Sequence, residues 1–309
     1  MDTLGVMTEI LKAHGSKNDI FIARLTPADF PSEADLREFV RALCDRSGPL
    51  GGDGIYFYDA APAIPRAWFF NPDGSSAEFC GNGMRCLGRV ILEQRGAGEA
   101  VIASGQTRYT VTRAPATPEG VQQICLEHPR VEFQEVGAPV ADLDPGVSFT
   151  ALTVPNPHLI TLVDKYVEAD LVAMGEILAR RRGPNLSFLL PVAPDDIFVR
   201  TFERGAGLTP SCGSGMVAAR AAYSRLGRAP QDLPVTIHNA GGVATVSLRD
   251  WHPVLQGNAT YVYRAEIDPA APLPPAVAAE GFGEEARAYS LFDIQNVRWL
   301  TEHDIDAHP

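Results

Sequence analysis

Basic stretches and long apolar runs are both absent from this chain of 309 residues. Its 26 Lys and Arg residues are outnumbered by 38 Asp and Glu residues, which gives a formal net charge of −12. An acidic chain repels phosphate backbones and anionic lipids, so we expect neither nucleic acid nor a membrane surface as a partner. No apolar run approaches the roughly 18 residues that a membrane span needs. Residues 1–9 lack the basic segment of a secretory signal, which predicts a cytoplasmic protein.

The chain contains few cysteines, and their number is odd. The five cysteines are Cys44, Cys80, Cys86, Cys125 and Cys212. A chain of this length can build its own core, and an odd count argues against a framework of disulfides. The separation of Cys80 and Cys86 does not match the short spacing of zinc ligands, so no metal is expected. Any cysteine with a function should therefore act as a free thiol.

Short segments rich in β-branched or aromatic residues, bounded by Gly, Pro, Asn or Asp, predict many strands. They lie at 67–71, 100–103, 108–112, 123–126, 149–154 and 235–238. Helical periodicity occurs at 32–44, 83–93, 171–182 and 215–226. Many strands with a few separated helices favour an α+β fold over a βαβ alternation.

One five-residue motif occurs twice, about half a chain apart. Cys80-Gly81-Asn82-Gly83-Met84 returns as Cys212-Gly213-Ser214-Gly215-Met216, and each copy opens a helical pattern. The repeat predicts two similar, pseudo-symmetric domains. We place the first at 1–120, carrying Cys80 and completed by a strand near 260–268, and the second at 121–262, carrying Cys212. Residues 270–309 follow as an acidic C-terminal extension.

A cysteine at a helix N-terminus is expected to be reactive. Backbone N–H groups and the positive end of the helix dipole stabilise its thiolate. The glycine that follows lets a ligand come close to these N–H groups, so a substrate carboxylate can dock there. Two such thiols on opposite faces of an α-carbon can remove a proton from one face and return one to the other. That chemistry inverts a stereocentre without a cofactor.

Other interpretations of these motifs are weaker or stay open. Gly81-Asn82-Gly83 lacks the third glycine of a dinucleotide fingerprint, and the sequence has no Gly-Lys-Ser/Thr for a P-loop. A hydrolase using Cys212 with His158 or His238 stays open, because a thiolate–imidazole pair needs only spatial proximity. A module that binds an amino acid without turnover is a further alternative. The other cysteines, Cys44, Cys86 and Cys125, are predicted to pack in the core.

Two long motifs resemble those of the diaminopimelate epimerase family. One runs from Phe70-Asn71-Pro72-Asp73-Gly74-Ser75 to Cys80-Gly81-Asn82-Gly83-Met84-Arg85-Cys86, and the other from Glu203-Arg204-Gly205-Ala206-Gly207 to Cys212-Gly213-Ser214-Gly215. Supporting matches are His14 to Asp19, Gly51 to Gly54, Asn156 to His158 and Gly183 to Asn185. In order and spacing they cover about residues 10–268.

This resemblance implies a cofactor-independent isomerase that interconverts LL- and meso-diaminopimelate, a precursor of lysine and peptidoglycan. It implies a cleft between two domains, each a β-barrel-like sheet around a central helix, with Cys80 and Cys212 as a thiolate–thiol pair. Asn71, Asn156, Asn185 and Arg204 match positions that hold the distal amino-carboxylate. Asn18 and the N–H groups of Gly81, Asn82, Gly213 and Ser214 match those that hold the reacting end, and Glu203 and His158 match groups near the substrate amine and the thiols. The implied partner is a small-molecule amino acid, and a homodimer is left open.

The sequence departs from the family pattern at three positions. Leu208 stands where the family usually has Glu, and Lys17 and Pro155 stand where it usually has Gly. Loss of a carboxylate near Cys212 can alter the pKa of its thiol. An epimerase or racemase of another amino acid is therefore the alternative interpretation.

Overall fold

The structure is a computed structural model, and it describes residues 7–141 and 143–307. The chain divides into two compact units. Unit 1 comprises the described residues up to Ile124 together with Asn258–Leu291. Unit 2 comprises Cys125–Gly257 together with the described residues from Phe292 onward. The segment predicted as a C-terminal extension, 270–309, thus contributes residues to both units.

The N-terminal half of the chain forms most of unit 1. Its elements are β1 (Thr8–Gly15), β2 (Asn18–Ala23), a 3-10 turn (Pro27–Asp29), α1 (Glu33–Cys44), β3 (Ile55–Asp59), β4 (Arg66–Phe70), β5 (Ser76–Ala77), α2 (Gly81–Arg95), β6 (Glu99–Ser104) and β7 (Thr107–Ala114). The next strand, β8 (Gln123–Glu127), has residues in both units. Strand β2 is antiparallel to β1 and parallel to β3, and β4 is antiparallel to β3 and parallel to β6. Strand β6 continues antiparallel into β7.

Helix α2 is the centre of unit 1. Every residue from Asn82 to Leu92 is buried, and the helix contacts β1, β2, β3, β6 and β7. A helix that is buried on all sides must be enclosed by the curved sheet rather than lie on one of its faces. Helix α1 instead packs one apolar face, which includes Phe39 and Leu43, against the sheet from outside.

Unit 2 repeats this plan. Its elements are β9 (Glu132–Ala138), β10 (Phe149–Thr153), β11 (Pro157–Leu162), α3 (Glu168–Arg180), β12 (Asn185–Ala193), β13 (Asp196–Glu203), β14 (Gly207–Leu208), α4 (Gly213–Arg225), β15 (Val235–Asn239), β16 (Gly242–Arg249) and β17 (His252–Asn258). Strands β10 to β16 have the same sequence of antiparallel and parallel pairings as β1 to β7. Helix α4 takes the central place of α2 and is buried from Gly215 to Tyr223. The prediction of two similar halves, each with a central helix, is confirmed.

Helices α2 and α4 begin two residues earlier than their periodicity predicts, at Gly81 and Gly213 rather than at 83 and 215. Glycine has no side chain and contributes nothing to an apolar periodicity, so the periodicity does not detect a first helical turn that begins with Gly-x-Gly. The second glycine of each copy has a packing reason. A Cβ on Gly83 would lie 2.9 Å from the Tyr56 ring, and a Cβ on Gly215 would collide with the Thr201 hydroxyl. Both helices therefore approach a strand too closely for a side chain.

The C-terminal segment adds β18 (Thr260–Ile267), β19 (Ala279–Gly281) and α5 (Gly283–Glu302). Strand β18 pairs with β1. In unit 1, Glu285 of α5 binds the Arg89 guanidinium of α2 through both of its oxygens, at 2.6 and 2.7 Å. In unit 2, the Trp299 indole N–H of α5 donates to Asp196 at 3.0 Å. None of the helices within residues 7–141 and 143–307 is long and apolar enough to cross a membrane.

Candidate active site

The repeated topology brings the predicted site residues to one edge of the sheet in each unit. In unit 1, Asn18 opens β2, Asn71 directly follows β4 and Cys80 directly precedes α2. Because β2 and β3 are parallel and β4 runs the opposite way, the starts of β2 and β3 and the end of β4 share an edge. In unit 2 the same edge is formed by the starts of β11 and β12 and the end of β13, where Asn156, Asn185 and Arg204 lie.

Cys80 is the N-cap residue of α2, with an extended backbone (φ −131°, ψ 109°), and its side chain is half-buried. Its backbone is fixed by Tyr56 of β3, because the Cys80 N–H donates to the tyrosine oxygen at 2.9 Å and the tyrosine hydroxyl donates to the Cys80 carbonyl at 3.2 Å. The thiol lies 3.5 Å from the side-chain oxygen of Asn18. The side-chain amide of Asn82 donates to the same oxygen at 3.5 Å. Asn18, Cys80 and Asn82 are thus brought together.

Asn71 is not in that cluster. It closes the turn after β4, where its backbone N–H donates to the Ser75 carbonyl at 2.8 Å and its side-chain amide donates to the Ser75 hydroxyl at 3.0 Å. The turn holds Asn71 at the same edge of the sheet as Asn18.

Cys212 is the N-cap residue of α4 and is buried. Its sulfur accepts the backbone N–H of Gly215 at 3.4 Å and lies 3.6 Å from the hydroxyl oxygen of Ser214. Burial raises the pKa of this thiol well above its ordinary value, and the nearby negative charge of Glu203 raises it further. The bonds from Ser214 and Gly215 act in the opposite direction. The isolated protein therefore holds Cys212 as a thiol at neutral pH.

Glu203 ends β13 and shares a hydrogen bond with Cys212. Thr209 donates its hydroxyl to the same carboxylate in a short hydrogen bond. Burial raises the pKa of Glu203, and the bonds from Thr209 and Cys212 moderate that rise. No local pattern in the sequence indicates Thr209 as a partner of Glu203, since the contact depends on the turn between β13 and α4.

Arg204 and Asn185 meet in unit 2. The backbone N–H of Arg204 donates to the side-chain oxygen of the buried Asn185 at 2.9 Å. The guanidinium of Arg204 is exposed, and one of its nitrogens donates to the Arg182 carbonyl at 3.3 Å. A guanidinium has five N–H donors in a planar fork, which matches the geometry of a carboxylate.

His158 is buried and has the side-chain oxygen of Asn156 3.2 Å from its Nε2. Burial lowers the pKa of His158 from 6.5 to about 3, so the ring is neutral at neutral pH. The contact with Asn156 places the ring proton on Nε2, and the buried Nδ1 has no hydrogen-bond partner within residues 7–141 and 143–307. Strands β11 and β12 pair His158 with Asn185 in register.

Leu208, Lys17 and Pro155 have distinct settings. Leu208 lies on β14 opposite Phe202 and packs against an apolar cluster of unit 2 that includes Leu178. Lys17 adopts a left-handed backbone (φ 63°), a conformation that favours glycine. Pro155 is exposed in the turn before β11.

The remaining cysteines differ from Cys80 and Cys212 in setting. Cys44 and Cys86 are buried as predicted, and burial raises the pKa of each to about 12. Cys125 is half-buried on β8, with its sulfur 3.8 Å from the side-chain oxygen of Gln256. Within residues 7–141 and 143–307, no group of three or more His, Cys, Asp or Glu side chains is arranged to hold a metal ion.

In a comparison with known sequences, both halves of the chain match the model of one family. The family model described as diaminopimelate epimerase matches residues 10–124 and 150–262. A diaminopimelate epimerase from Methanopyrus kandleri is 34% identical over 265 residues, covering 83% of this chain and 88% of its own. One from Listeria monocytogenes is 31% identical over 311 residues, covering 91% of this chain and 94% of its own.

Solved structures at low sequence identity share the fold. A protein described as a predicted epimerase from Pseudomonas aeruginosa superimposes with a TM-score of 0.64 at 16% identity, covering 84% of this chain and 99% of its own. A hydroxyproline epimerase from Agrobacterium vitis, solved with trans-4-hydroxy-L-proline, gives a TM-score of 0.59 at 16% identity, with 87% and 94% covered. Such identities speak for the fold alone, and they confirm the predicted α+β architecture with two repeated halves.

Proposed function

The chain belongs to the diaminopimelate epimerase family, and from this premise we propose that it is an amino-acid epimerase acting on diaminopimelate. The observation that carries the proposal is the repeated placement of one thiol at the N-cap of a buried helix in each unit, Cys80 on α2 and Cys212 on α4. A single-cysteine hydrolase would leave this repetition without a purpose.

In the proposed reaction the two cysteines act as one acid–base pair. The thiolate of one cysteine takes the α-proton of the substrate, so that a C–H bond breaks and an S–H bond forms. The thiol of the other cysteine delivers a proton to the opposite face of the α-carbon, so that an S–H bond breaks and a C–H bond forms. The substrate leaves with inverted configuration, and the two cysteines have exchanged protonation states. No electrons are gained or lost.

The N-termini of the two central helices supply the electrostatic stabilisation in the proposed reaction. The α-proton of an amino acid is weakly acidic. When it is removed, negative charge develops on the α-carbon and its carboxylate, and the site must stabilise this charge. The first-turn N–H groups of α2 and α4, which include those of Gly81 and Gly213, have no acceptor one turn earlier in their own helix. Fixed donors of this kind stabilise developing charge without having to reorganise.

Diaminopimelate carries a second amino-carboxylate, which needs its own recognition. The exposed Arg204 guanidinium suits the distal carboxylate, with Asn185 fixing the backbone that carries it. Asn71 and Asn156 lie at the same sheet edges as the two half-sites and offer amide donors and acceptors to the distal amine and carboxylate.

A second candidate is epimerisation of another amino acid. Leu208 replaces a carboxylate of the family pattern with an apolar side chain on β14, and Lys17 adds a positive charge beside Asn18. Either change alters the charge that a substrate meets near a half-site, so both favour a substrate with a different charge distribution.

The test is proton NMR of the fully reduced protein with LL-diaminopimelate in D₂O. We expect loss of the α-proton signal together with appearance of the meso isomer. If another amino acid from a panel exchanges its α-proton and diaminopimelate does not, the proposed substrate is wrong but the proposed epimerase activity stands. Binding without exchange for any amino acid tested would overturn both.

A further inference from the structure

The motif Gly51-Gly52-Asp53-Gly54 has no role in the chemistry described so far. It forms the loop that leads into β3 and runs beside the start of β2, where the Asp53 N–H donates to the Asp19 carbonyl at 2.8 Å and the Phe21 N–H donates to the Gly54 carbonyl at 2.9 Å. Gly54 has a φ of +148°, and a Cβ there would lie 2.6 Å from the Phe69 ring. The glycines thus let the loop press against the sheet, which brings the Asp53 carboxylate to the residue that opens β2.

That residue is Asn18, and its side chain joins Asp53 to Cys80. The Asn18 amide nitrogen donates to Asp53 Oδ2 at 3.1 Å. The Asn18 amide oxygen faces the Cys80 sulfur at 3.5 Å and the Asn82 amide nitrogen at 3.5 Å. Burial and the neighbouring Asp19 raise the pKa of Asp53, and Arg46 acts in the opposite direction. In its ionised form the carboxylate only accepts hydrogen bonds, so it repels the oxygen end of a carboxamide and binds the nitrogen end. The carboxylate of Asp53 therefore decides which end of Asn18 faces the thiol.

Asp53 is itself held on several sides. Arg46 donates to Asp53 Oδ1 at 2.6 Å, and the backbone N–H of Asp19 donates to Asp53 Oδ2 at 3.0 Å. Arg46 also binds Asp19, whose carboxylate forms an ion pair with the buried Lys12 at 2.6 Å. The cluster contains two carboxylates and two cations, and Lys17 lies next to Asn18 in the chain. A carboxylate fixed in this way cannot turn away from Asn18 without breaking those bonds.

We propose that Asp53 is a positioning residue, which holds the Asn18 carboxamide with its oxygen toward the Cys80 thiol. An acceptor opposite a thiol favours the S–H form over the thiolate, whereas the charge of the buried Arg85 guanidinium on α2 favours the thiolate. In the free protein Cys80 is thereby held in its S–H form, the form that donates a proton in that direction of the proposed exchange in which Cys212, once deprotonated, takes the α-proton. The catalytic meaning rests on the proposed function, but the orientation of Asn18 does not.

The experiment measures alkylation of Cys80 by iodoacetamide as a function of pH in the reduced full-length protein. The rate at Cys80 is read from its peptide by mass spectrometry. Asp53→Asn keeps the size of the side chain but no longer repels the Asn18 oxygen, so the carboxamide can turn its nitrogen to the sulfur. We expect the pH midpoint of Cys80 alkylation to fall by about one unit, with a several-fold faster rate at pH 7.

Asp19→Asn is the matched control. It removes one negative charge from the same cluster, together with the two Arg46 hydrogen bonds and the Lys12 ion pair of Asp19, but it leaves the bond between Asn18 and Asp53 in place. We expect it to leave the midpoint of Cys80 within a few tenths of a unit of the wild type. A second comparison is made in an Asn18→Ala background, where Asp53→Asn should produce no further shift.

The outcomes separate the two proposals. An unchanged Cys80 profile in folded Asp53→Asn protein, or an equal shift in Asp19→Asn, would overturn the positioning role. If Asp53→Asn does not fold, Asn18→Ala alone must lower the midpoint, and an unchanged profile would overturn the role of Asn18 as acceptor. Because alkylation needs no substrate, the positioning role can fail while the epimerase proposal stands, and the reverse also holds.

Discussion

The imidazole of His238 lies flat against the indole of Trp299, with ring centroids 3.6 Å apart and planes inclined by 2°. The two rings share one carboxylate, because Asp196 lies 3.2 Å from His238 Nε2 and accepts the indole N–H of Trp299 at 3.0 Å. The other ring nitrogen of His238 lies 2.8 Å from the side-chain oxygen of Asn296. The C-terminal part of α5 is therefore built into unit 2 rather than appended to it.

This stack predicts a stability cost for changes at Trp299. Trp299→Ala should lower the free energy of unfolding by about 3 kcal/mol, since it removes a large, partly buried ring. Trp299→Phe keeps a ring but loses the bond to Asp196 and should cost about 1 kcal/mol. Urea unfolding measures both. Leu291→Ala, at an exposed position of the same helix, is the control and should change the value by less than about 0.5 kcal/mol.

A second prediction concerns pH and His158. The folded protein keeps this ring neutral because burial lowers its pKa to about 3, whereas the unfolded chain takes up the proton near the ordinary value of 6.5. Its contribution to stability is thus complete above about pH 6.5 and is lost as pH falls toward 3.

The measurement is the free energy of unfolding at pH 7 and at pH 5. We expect His158→Gln to lose about 2 kcal/mol less than the wild type over this interval. His252→Gln, which changes an exposed histidine, should follow the wild type. Equal pH dependence of His158→Gln and wild type would contradict the buried neutral ring.

A third prediction tests why the repeated motif keeps its second glycine. Gly215→Ala should cost about 1–3 kcal/mol in unfolding free energy, because the new methyl group meets the Thr201 hydroxyl. In a Thr201→Ala background the same change should cost much less. Gly98→Ala, where nothing lies within 4 Å of the added Cβ, is the control. A cost for Gly215→Ala that does not depend on residue 201 would point to another cause.

A fourth prediction concerns the charge beside Cys212. The pKa of this thiol is raised first by burial and then by Glu203, so Glu203→Gln should lower the pH midpoint of Cys212 alkylation. Peptide mass spectrometry after timed exposure to iodoacetamide gives that midpoint. Glu176→Gln, at an exposed position of α3, should leave it in place. A midpoint that is unmoved or higher in Glu203→Gln would show that Glu203 does not stabilise the protonated thiol.

The sequence predicted those parts of the fold that depend on local contacts. The Cys-Gly-x-Gly repeat located both helix starts and both candidate thiols, because a thiol at a helix N-terminus depends on local sequence. All six predicted strands coincide with strands of the structure. Short elements such as β5 and β19 were not predicted, because they are held by pairing with β4 and β18 rather than by local propensity.

Most features that the sequence did not predict depend on tertiary contacts. The helix α5 was not predicted within the C-terminal segment, and its partners Arg89 and Asp196 lie far away in the chain. The bond from Thr209 to Glu203 and the support of Cys80 by Tyr56 depend on how strands meet at one sheet edge. Asp53 was visible as part of a glycine-rich motif, but its contact with Asn18 appears only when the loop lies against β2.

The most direct test of the two-thiol account is inversion in D₂O by single cysteine variants, followed by proton NMR with the amino acid that the reduced wild type epimerises. We predict that Cys80→Ala and Cys212→Ala each lose inversion by at least about 100-fold, as expected for removal of a general acid or base. Cys125→Ala, which removes a half-buried thiol from a strand, should keep the wild-type rate. Substantial inversion by either Cys80→Ala or Cys212→Ala would contradict the account.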